Sequence, residues 1–399
     1  MFAPTTDPHR RVVWLAAADA RGHLTRAHLA RGLLARAGIR TDIVTTSEAG
    51  RAYLAALGTP SEVLSSHYAV AFDAWQDLAR GRTERTIAQY FLMPSRALAD
   101  ARRLDELAAG AAYLVNDFHP LPLVASRSHR RVVHVVGRSL RRAIAHHFDG
   151  RGPAILDRGF AELFDRRLES AHGCIEHSFT APARGVFHGG RFELPPLVST
   201  PRRSRAEVRA ALGLARDDKL AAVYLNPNLS APGLAASLRA ALEARGYVVY
   251  GVAEGQRGER GFVPYDADFA SALFASDLFV AAPGMASSAQ ARAARVPFVA
   301  LLTDQPEQRD NARTLATLRS IATVELSDAS TRADLRRALD LARELAIERA
   351  TLVPPTDDAA SPALTEAAWT HALVTLASPD RLYRKPFREH RAHTQGATS

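Results

Sequence analysis

The chain of 399 residues contains 51 lysines and arginines against 42 aspartates and glutamates, giving a formal net charge of +9, and 47% of its residues are hydrophobic. This length predicts two domains or slightly more, and the hydrophobic fraction is typical of a folded soluble protein with a sizeable core. No stretch approaches the roughly 20 uninterrupted apolar residues that a membrane-spanning helix needs, so no span is expected.

The cysteine count and the charge bear on compartment and partners. Cys174 is the single cysteine, which excludes an intrachain disulfide, and residues 1–11 lack the apolar stretch of a signal peptide. Both features predict a cytoplasmic location. The positive charge fits either an alanine- and arginine-rich genome or attraction to an anionic partner, such as acidic lipid, a sugar diphosphate or nucleic acid. Peripheral contact with the inner face of an anionic membrane therefore stays open.

The first half of the chain predicts alternating strands and helices. Residues 11–18 form a near-continuous apolar run, which is typical of a parallel strand buried on both faces. A turn at 19–23 leads into a predicted helix at 24–37 that ends at Gly38, and residues 39–45 form a second strand. Further strands are predicted at residues 111–115, 131–136, 174–180 and 192–194, and an amphipathic helix at 155–171.

A proline-rich stretch at residues 195–201 divides the chain, because prolines favour an extended connector. After it, Ser204 and Glu207 form a capping box that predicts a helix start. Strands are predicted at residues 220–225, 247–253, 262–265, 277–282, 296–301 and 323–326. We expect an α/β protein of two doubly wound domains facing a cleft, divided into a first domain (1–195), a linker (196–202), a second domain (203–378) and a basic tail (379–399).

One stretch of the second domain has the features of a ligand site. The strand at 277–282 is followed by a turn at Pro283 and Gly284 and then by a helix, whose free N–H groups suit a phosphate. The strand at 296–301 is followed by a polar loop at 304–311, at the edge where open α/β sheets hold ligands. The pattern predicts a ligand with an anion at one end and hydroxyls at the other, as in a nucleotide sugar.

The same stretch resembles a known signature. The run Gly284-x-x-Ser287-Ser288-x-Gln290-Ala291, then Val296-Pro297, then Glu307-Gln308-x-x-Asn311-Ala312 resembles the donor-binding signature of GT-B glycosyltransferases. The closest branch holds the UDP-glycosyltransferases and the GlcNAc transferase that makes lipid II. Three positions depart from the pattern. Gln290 replaces a Glu that binds the donor ribose, Ala282 replaces a His near the diphosphate, and Arg295 replaces a Gly. An amide can still hydrogen-bond a ribose hydroxyl.

The resemblance implies two Rossmann-like domains, with the acceptor in the first and a UDP- or dTDP-linked sugar in the second. It implies a hexosyltransferase-type enzyme (EC 2.4 class) that transfers the sugar to an acceptor hydroxyl with inversion and without a metal. The nucleotide sugar would be a co-substrate, and no cofactor is expected. The acceptor is left open among a small molecule, a lipid-linked molecule and a polymer. The donor-binding residues would be Gly284, Ser287, Ser288, Gln290, Glu307, Gln308 and Asn311.

The catalytic pair is expected just past two strands of the first domain. Gly22-His23 resembles the Gly-His pair that follows the first strand in this family, where the histidine often serves as general base. Asp117 lies in a segment similar to the one that orients this histidine. Gly22, His119 and Trp75 are the predicted acceptor-side residues. A histidine beside a helix start can also be an ordinary polar residue, and the aromatic residues of 46–82 can serve as packing.

Other functions remain open from the sequence. One is a UDP-GlcNAc 2-epimerase-like isomerase, and a second is a non-catalytic GT-B relative, suggested by Gln290 and Ala282. A third is a DNA-base glycosyltransferase, suggested by the charge, although the aromatic residues interleaved with basic ones that stack bases are few, so nucleic acid is ranked last. The basic cluster at 127–142 is either a rim for an anionic acceptor or a set of solvated residues flanking a strand.

Overall fold

The computed structural model describes residues 11–65, 70–77, 79–124, 131–137, 162, 165–188, 191–256, 258–352 and 361–378. The basic tail at 379–399 and most of the helix predicted at 155–171 lie outside these ranges. The described residues form two separate, mainly parallel sheets with helices packed on their faces. The predicted α/β class with two Rossmann-like domains is confirmed.

The first sheet has the strand order β3-β2-β1-β4-β5-β6-β8-β7, and all described pairings are parallel except β7 with β8. Its strands are β1 (Arg11–Ala16), β2 (Arg40–Thr45), β3 (Ser61–Val63), β4 (Tyr113–Asp117), β5 (Val132–Gly137), β6 (Gly173–His177), β7 (Val186–His188) and β8 (Arg191–Leu194). Its helices are α1 (Arg21–Arg36), α2 (Glu48–Ala56), α3 (Arg80–Leu92), α4 (Pro94–Ala108) and α5 (Leu121–Val124). The continuous apolar run of β1 is buried on both faces of this sheet, as parallel strands require.

The second sheet is parallel throughout its described pairings, in the order β11-β10-β9-β12-β13-β14. Its strands are β9 (Lys219–Leu225), β10 (Tyr247–Ala253), β11 (Phe262–Val263), β12 (Leu278–Ala281), β13 (Phe298–Leu302) and β14 (Ala322–Glu325). Its helices are α6 (Arg205–Ala211), α7 (Leu234–Glu243), α8 (Phe269–Ala275), α9 (Met285–Ala294), α10 (Pro306–Thr317), α11 (Ala329–Ala333) and α12 (Leu335–Thr351). The capping box predicted at the start of α6 is present, with Ser204 and Glu207 bonded reciprocally.

Each sheet has a topological switch point at the carboxyl ends of its strands. In the first sheet the switch lies between β1 and β4, and in the second it lies between β9 and β12. The loops that follow such a strand pair run to opposite faces of the sheet and leave a crevice between them. These crevices contain the residues after β1 and β4 on one side and the residues after β9 and β12 on the other.

The final helix, α13 (Pro362–Ala377), packs on the first sheet although it follows the second in the chain. Its Trp369 is fully buried with Val12 and Trp14 of β1, and the indole Nε1 donates a hydrogen bond to the Pro195 carbonyl at 2.8 Å. The range predicted for the second domain, 203–378, included this helix. The apolar composition of this helix predicts that it is buried, but the spacing of its apolar residues does not indicate which of the two sheets it packs against.

Candidate active site

A cavity of about 400 Å³ lies between the carboxyl ends of the two sheets. The first sheet contributes the segment after β1, the start of α1 and Phe118 after β4. The second contributes residues after β9 and the start of α9, together with Glu307 and Gln308 of α10. Members of both predicted sets of ligand-binding residues therefore line one cavity.

His23 and Asp117 form a hydrogen-bonded pair on the first wall. His23 lies in the first turn of α1 and lines the cavity, and Asp117 is the last residue of β4, next to Ala16 of β1. The His23 Nδ1 and Asp117 Oδ1 atoms are 2.7 Å apart, and the Asp117 side chain is fully buried. The sequence predicted both residues and their contact. A carboxylate bonded to Nδ1 leaves Nε2 as the proton-accepting nitrogen of a neutral imidazole.

Arg26 completes this cluster and was missed by the sequence analysis. It lies one helical turn after His23, so both side chains project from the same face of α1. Its guanidinium forms a fork on Asp117, with Nε at 2.8 Å from Oδ2 and Nη2 at 2.7 Å from Oδ1. The third nitrogen, Nη1, lies 2.9 Å from Nε2 of His177 at the end of β6. An arginine among the apolar residues of an otherwise buried helix face was the available signal.

The charges in this cluster are largely removed from water. Burial acts to raise the pKa of Asp117, but the Arg26 guanidinium and His23 outweigh it and hold that pKa well below the usual range. Asp117 is therefore a carboxylate at neutral pH. Burial, assisted by the nearby Arg26 charge, lowers the pKa of His177 well below its ordinary value of 6.5, so His177 is neutral.

Phe118 has an unusual backbone conformation beside the pair. Its φ is +71°, in the left-handed region that bulky residues avoid, and its ring stacks on the imidazole of His23. Strained backbone of this kind persists only where surrounding contacts stabilise it, and it is concentrated at functional sites. Phe118 also lines the cavity, so its ring covers one face of His23 and meets whatever binds there.

Asp19 is a second carboxyl on this wall that the sequence analysis did not single out. Its Oδ1 accepts a hydrogen bond from the Val70 amide at 3.2 Å, and its buried Oδ2 has no hydrogen-bond partner among the described residues. Burial raises the pKa of Asp19 to about 6, although the Val70 bond and the proximity of His23 act against the rise. The side chain lines the cavity.

The three predicted acceptor-side residues fall in different places. Gly22 lines the cavity. His119 does not, because it is 1% exposed and packs edge-on against Tyr90, and burial lowers its pKa to about 3. Trp75 does not line it either. It forms a bridge with Leu229 of the second domain, and the Arg332 guanidinium lies 4.5 Å from its ring centroid. The acceptor-side prediction thus matches the cavity wall at Gly22 alone.

The second wall presents the N-terminus of α9. Strand β12 ends at Ala281, the chain turns through Pro283, and Gly284 is the N-cap of the helix, with no side chain bonded to the first-turn amides. Gly284, Ser287 and Gln290 all line the cavity. Free first-turn amides at the positive end of the helix dipole form an anion site.

The remaining predicted donor residues divide into cavity-lining and supporting positions. Glu307 and Gln308 line the cavity, and the Gln308 Oε1 accepts a hydrogen bond from the Thr303 hydroxyl at 3.0 Å. Ser288 is fully buried, its hydroxyl has no partner among the described residues, and it does not line the cavity. Asn311 is buried as well, and its Nδ2 donates to the Pro283 carbonyl at 3.1 Å, which stabilises the turn before α9.

The departures from the family pattern have local structural counterparts. Arg295 ends α9 in the left-handed conformation, with φ +54°, which explains why glycine suits this position. Ala282 lines the cavity just before the turn into α9. Most of the basic cluster at 127–142 lies outside the described ranges, and Arg131 is exposed just before β5.

A loop of the first domain, residues 73–77, is bonded to the second domain beside the cavity. The Asn226 side chain donates to Gln76 Oε1 at 2.6 Å, and the Gln305 side chain donates to the Gln76 carbonyl at 2.7 Å. Asp77 accepts from the Asp304 amide at 2.7 Å and from Arg332 at 2.8 Å. Gln76 has φ +65°, so this loop is held in a conformation that its own backbone does not favour.

Among the described residues, no group of three or more His, Cys, Asp or Glu side chains has the arrangement of a metal site. Among the same residues, no helix is both long enough and apolar enough to cross a membrane.

The two parallel sheets, with a cavity between the carboxyl ends of their strands, define the GT-B fold, and solved structures of glycosyltransferases share it. SsfS6 of Streptomyces sp. SF2575, solved with thymidine diphosphate, is 15% identical with a TM-score of 0.57, covering 92% of this chain and 100% of its own. The calicheamicin glycosyltransferase CalG4 is 16% identical with a TM-score of 0.56, and the match covers 92% of this chain and 100% of CalG4. The spinosyn rhamnosyltransferase SpnG, solved with thymidine diphosphate, is 15% identical with a TM-score of 0.50, and the match covers 93% of this chain and 96% of SpnG.

At these identities the likeness establishes the fold. No family model matches this chain, and no curated protein matches it.

Proposed function

We propose that this protein is a glycosyltransferase that moves a sugar from a nucleoside diphosphate to an acceptor hydroxyl with inversion. One observation carries the proposal. A histidine bonded to a buried carboxylate and the open N-terminus of a helix line the same cavity, on opposite domains. Glycosyl transfer needs a base at the acceptor, charge stabilisation at the leaving group, and fixed geometry between them.

On the first wall, His23 is the general base. Asp117 accepts a hydrogen bond from Nδ1–H of His23, so Nε2 carries the lone pair that takes the acceptor's hydroxyl proton. The acceptor oxygen then forms a bond to the anomeric carbon while the bond from that carbon to the diphosphate oxygen breaks. This single displacement inverts the anomeric configuration. Asp117 stabilises the imidazolium that results, as the aspartate of a catalytic triad does.

On the second wall, the first turn of α9 receives the diphosphate. Its unbonded amides and the Ser287 hydroxyl face the oxygens on which negative charge grows as the sugar leaves. Gln290, one turn further along, reaches the ribose, and Glu307 and Gln308 hydrogen-bond hydroxyls of the donor sugar. Asn311 acts indirectly, because its bond to the Pro283 carbonyl fixes the turn that aims α9.

The donor is a UDP- or dTDP-linked sugar. Two of the similar structures contain thymidine diphosphate, which supports including both pyrimidine nucleotides in a screen. A correct donor stabilises the fold according to its free concentration divided by its dissociation constant, at about 2.7 kcal/mol for a hundredfold excess. We expect one nucleotide sugar of a panel to raise the melting temperature and to be consumed when an acceptor hydroxyl is supplied, as followed by mass spectrometry.

Variants of the first wall test the mechanism. We expect His23→Ala to lower turnover by about 10²- to 10⁴-fold, the usual contribution of a general base, while the thermal shift with donor persists. His188→Ala is the matched control, because His188 is exposed on the edge strand β7 outside the cavity. Equal turnover in His23→Ala and His188→Ala would overturn the base assignment.

The same screen separates the alternative functions. Donor binding without consumption, across acceptors, would identify a non-catalytic relative. A C2 epimer formed without acceptor would identify an isomerase. A DNA mobility shift that weakens steeply with salt would favour a transferase acting on DNA bases. Each of these results would replace the proposal.

A further inference from the structure

Arg26 lines the cavity, but most of its side chain is buried against the His23–Asp117 pair. It is 8% exposed, although arginine is seldom buried unless it is paired. All three guanidinium nitrogens have hydrogen-bond partners. Nε and Nη2 donate to Asp117, and Nη1 donates to His177. The side chain is thus held on several sides and is oriented toward the buried carboxylate.

The charge balance of the cluster depends on this side chain. Asp117 is fully buried and ionised, so a positive charge must lie near it. Two groups in contact with it can supply that charge, namely the permanent cation of Arg26 and a protonated His23. With Arg26 present, the carboxylate already has a permanent counter-charge, so its burial does not require a proton on His23. Without it, the pair would take up a proton to satisfy Asp117, and that proton would occupy the basic nitrogen.

The geometry also connects the two residues directly. Oδ1 of Asp117 lies 2.7 Å from His23 Nδ1 and 2.7 Å from Arg26 Nη2, so one oxygen accepts from both. Arg26 Nη2 is itself 2.9 Å from His23 Nδ1. Because the carboxylate Oδ1 can only accept, Nδ1 carries the proton that faces it, and arginine can only donate. The close approach of Nη2 therefore places the guanidinium charge beside the imidazole.

The other ionisable groups near His23 have defined states or can be controlled. His177 of β6 accepts from Arg26 through Nε2, which makes it neutral and protonated on Nδ1. Asp19, after β1, is the other carboxyl that interacts electrostatically with His23, and it changes charge near pH 6. An Asp19→Asn background removes that second titration from any measurement on His23.

We propose that Arg26 is a positioning residue that neutralises Asp117 and thereby keeps His23 in the unprotonated form that accepts the acceptor's proton. The catalytic part of this statement rests on the proposed function. The proton balance of the pair does not, because it can be measured without any substrate. In this role Arg26 acts through its contacts with Asp117 and with the Nδ1 edge of His23, and no contact with donor or acceptor is needed.

The test combines two replacements of Arg26. Arg26→Met keeps length and removes the charge, whereas Arg26→Lys keeps the charge and removes the fork on Asp117. Proton uptake by His23 is followed by NMR of the histidine ring signals as pH is varied, in the Asp19→Asn background. We expect uptake to move to higher pH in Arg26→Met and to stay near that of the parent in Arg26→Lys. Unchanged uptake in Arg26→Met would overturn the proposal.

A double variant keeps the test decisive if Arg26→Met fails to fold. Arg26→Met/Asp117→Asn removes both buried charges and leaves no unpaired ion. If Arg26 balances Asp117, proton uptake by His23 in the double variant stays close to that of the parent. If only Asp117 matters, uptake moves to clearly lower pH, and the proposal is wrong.

Kinetics give the readout that a merely structural residue would not produce. We expect Arg26→Met to lower kcat/KM at pH 7 by about 10- to 100-fold, with the acid limb of the pH–rate profile moved to higher pH and activity partly recovered at alkaline pH. A uniform loss at all pH values would contradict the proposal. If no donor is turned over by the parent while the NMR shift is still found, the proposed function fails and the role of Arg26 in proton balance stands.

Discussion

The ring of Phe118 lies nearly parallel to the imidazole of His23, with centroids 5.2 Å apart and an interplanar angle of 12°. Phe118 directly follows Asp117, so the residue that bonds the imidazole edge and the residue that covers its face are neighbours in the chain. The left-handed φ of +71° at Phe118 turns the ring back over His23. The histidine is thereby fixed in both orientation and tilt.

Replacing Phe118 should separate stability from activity. Phe118→Gly relieves the left-handed backbone, which costs a bulky residue about 1–2 kcal/mol, but removes the stacked ring. We expect its melting temperature to be close to that of the parent and its kcat/KM to fall about tenfold, since a misplaced catalytic group is costly. Phe118→Tyr keeps the ring and serves as the control. Full activity in Phe118→Gly would show that the stacking is dispensable.

Trp369 should be essential to the first domain although it lies near the end of the described chain. It is fully buried against the first sheet and bonds the Pro195 carbonyl. We expect Trp369→Ala to lower the free energy of unfolding by about 3–5 kcal/mol, measured by urea denaturation. Val374→Ala on the same helix is the control, because Val374 is 39% exposed. Similar losses in the two variants would contradict the assignment of α13 to the first core.

The ion pair between Asp77 and Arg332 should couple the two domains measurably. Their side chains are 22% and 25% exposed, and the N–O distance is 2.8 Å. A double-mutant cycle of Asp77→Ala and Arg332→Met should give a coupling free energy of about 0.5–1 kcal/mol that decreases with added salt. Arg36 and Glu366, a more exposed pair, should give a smaller value. A coupling at Asp77–Arg332 no larger than that of the exposed pair would show that the loop at 73–77 is held by its amide bonds alone.

Asp19 should make the fold less stable as pH rises through the acid range. Its pKa is about 6 in the folded protein against an ordinary value of 3.8, so between these values the folded state binds more protons than the unfolded state. Stability from this group is therefore greatest below the ordinary value and is lost as pH rises toward the folded value. Asp19→Asn imitates the protonated acid and should avoid the loss.

Melting temperatures across this pH range provide the measurement. We expect the parent and Asp19→Asn to melt similarly near pH 4, and the variant to become the more stable of the two by pH 7. Because other carboxyls titrate in both proteins, only the difference between them is informative. A difference that is constant with pH would contradict the burial of Asp19.

Local sequence features predicted much of the fold and several of the residues that line the cavity. Apolar runs such as β1, the turn at Pro283 and Gly284, and the segment around Asp117 are recognisable because each is contiguous in the chain. The meeting of His23 with Asp117 could be predicted as well, since His23 comes after β1, Asp117 ends β4, and these two strands end at one edge of a parallel sheet.

What the sequence did not predict depends on packing between distant segments. In the sequence Arg26 is one of many arginines. Its contacts with Asp117 and His177 arise only because α1 packs beside the ends of β4 and β6 in the fold. In the sequence Asp19 is an ordinary turn residue, and only the fold brings the Val70 amide to its carboxylate. Conversely, His119 follows the end of β4 by two residues, but it is buried against Tyr90 and does not line the cavity.

The position of α13 also has a consequence for biosynthesis. Trp369 is part of the hydrophobic core that packs on the first sheet, yet it is translated only after all six described strands of the second sheet. A nascent chain that has emerged as far as Thr351 must therefore keep the Trp369 cavity around β1 unfilled while the other lobe matures. Ribosome-bound intermediates stalled before Pro362 should consequently expose the apolar surface of the first core that α13 covers.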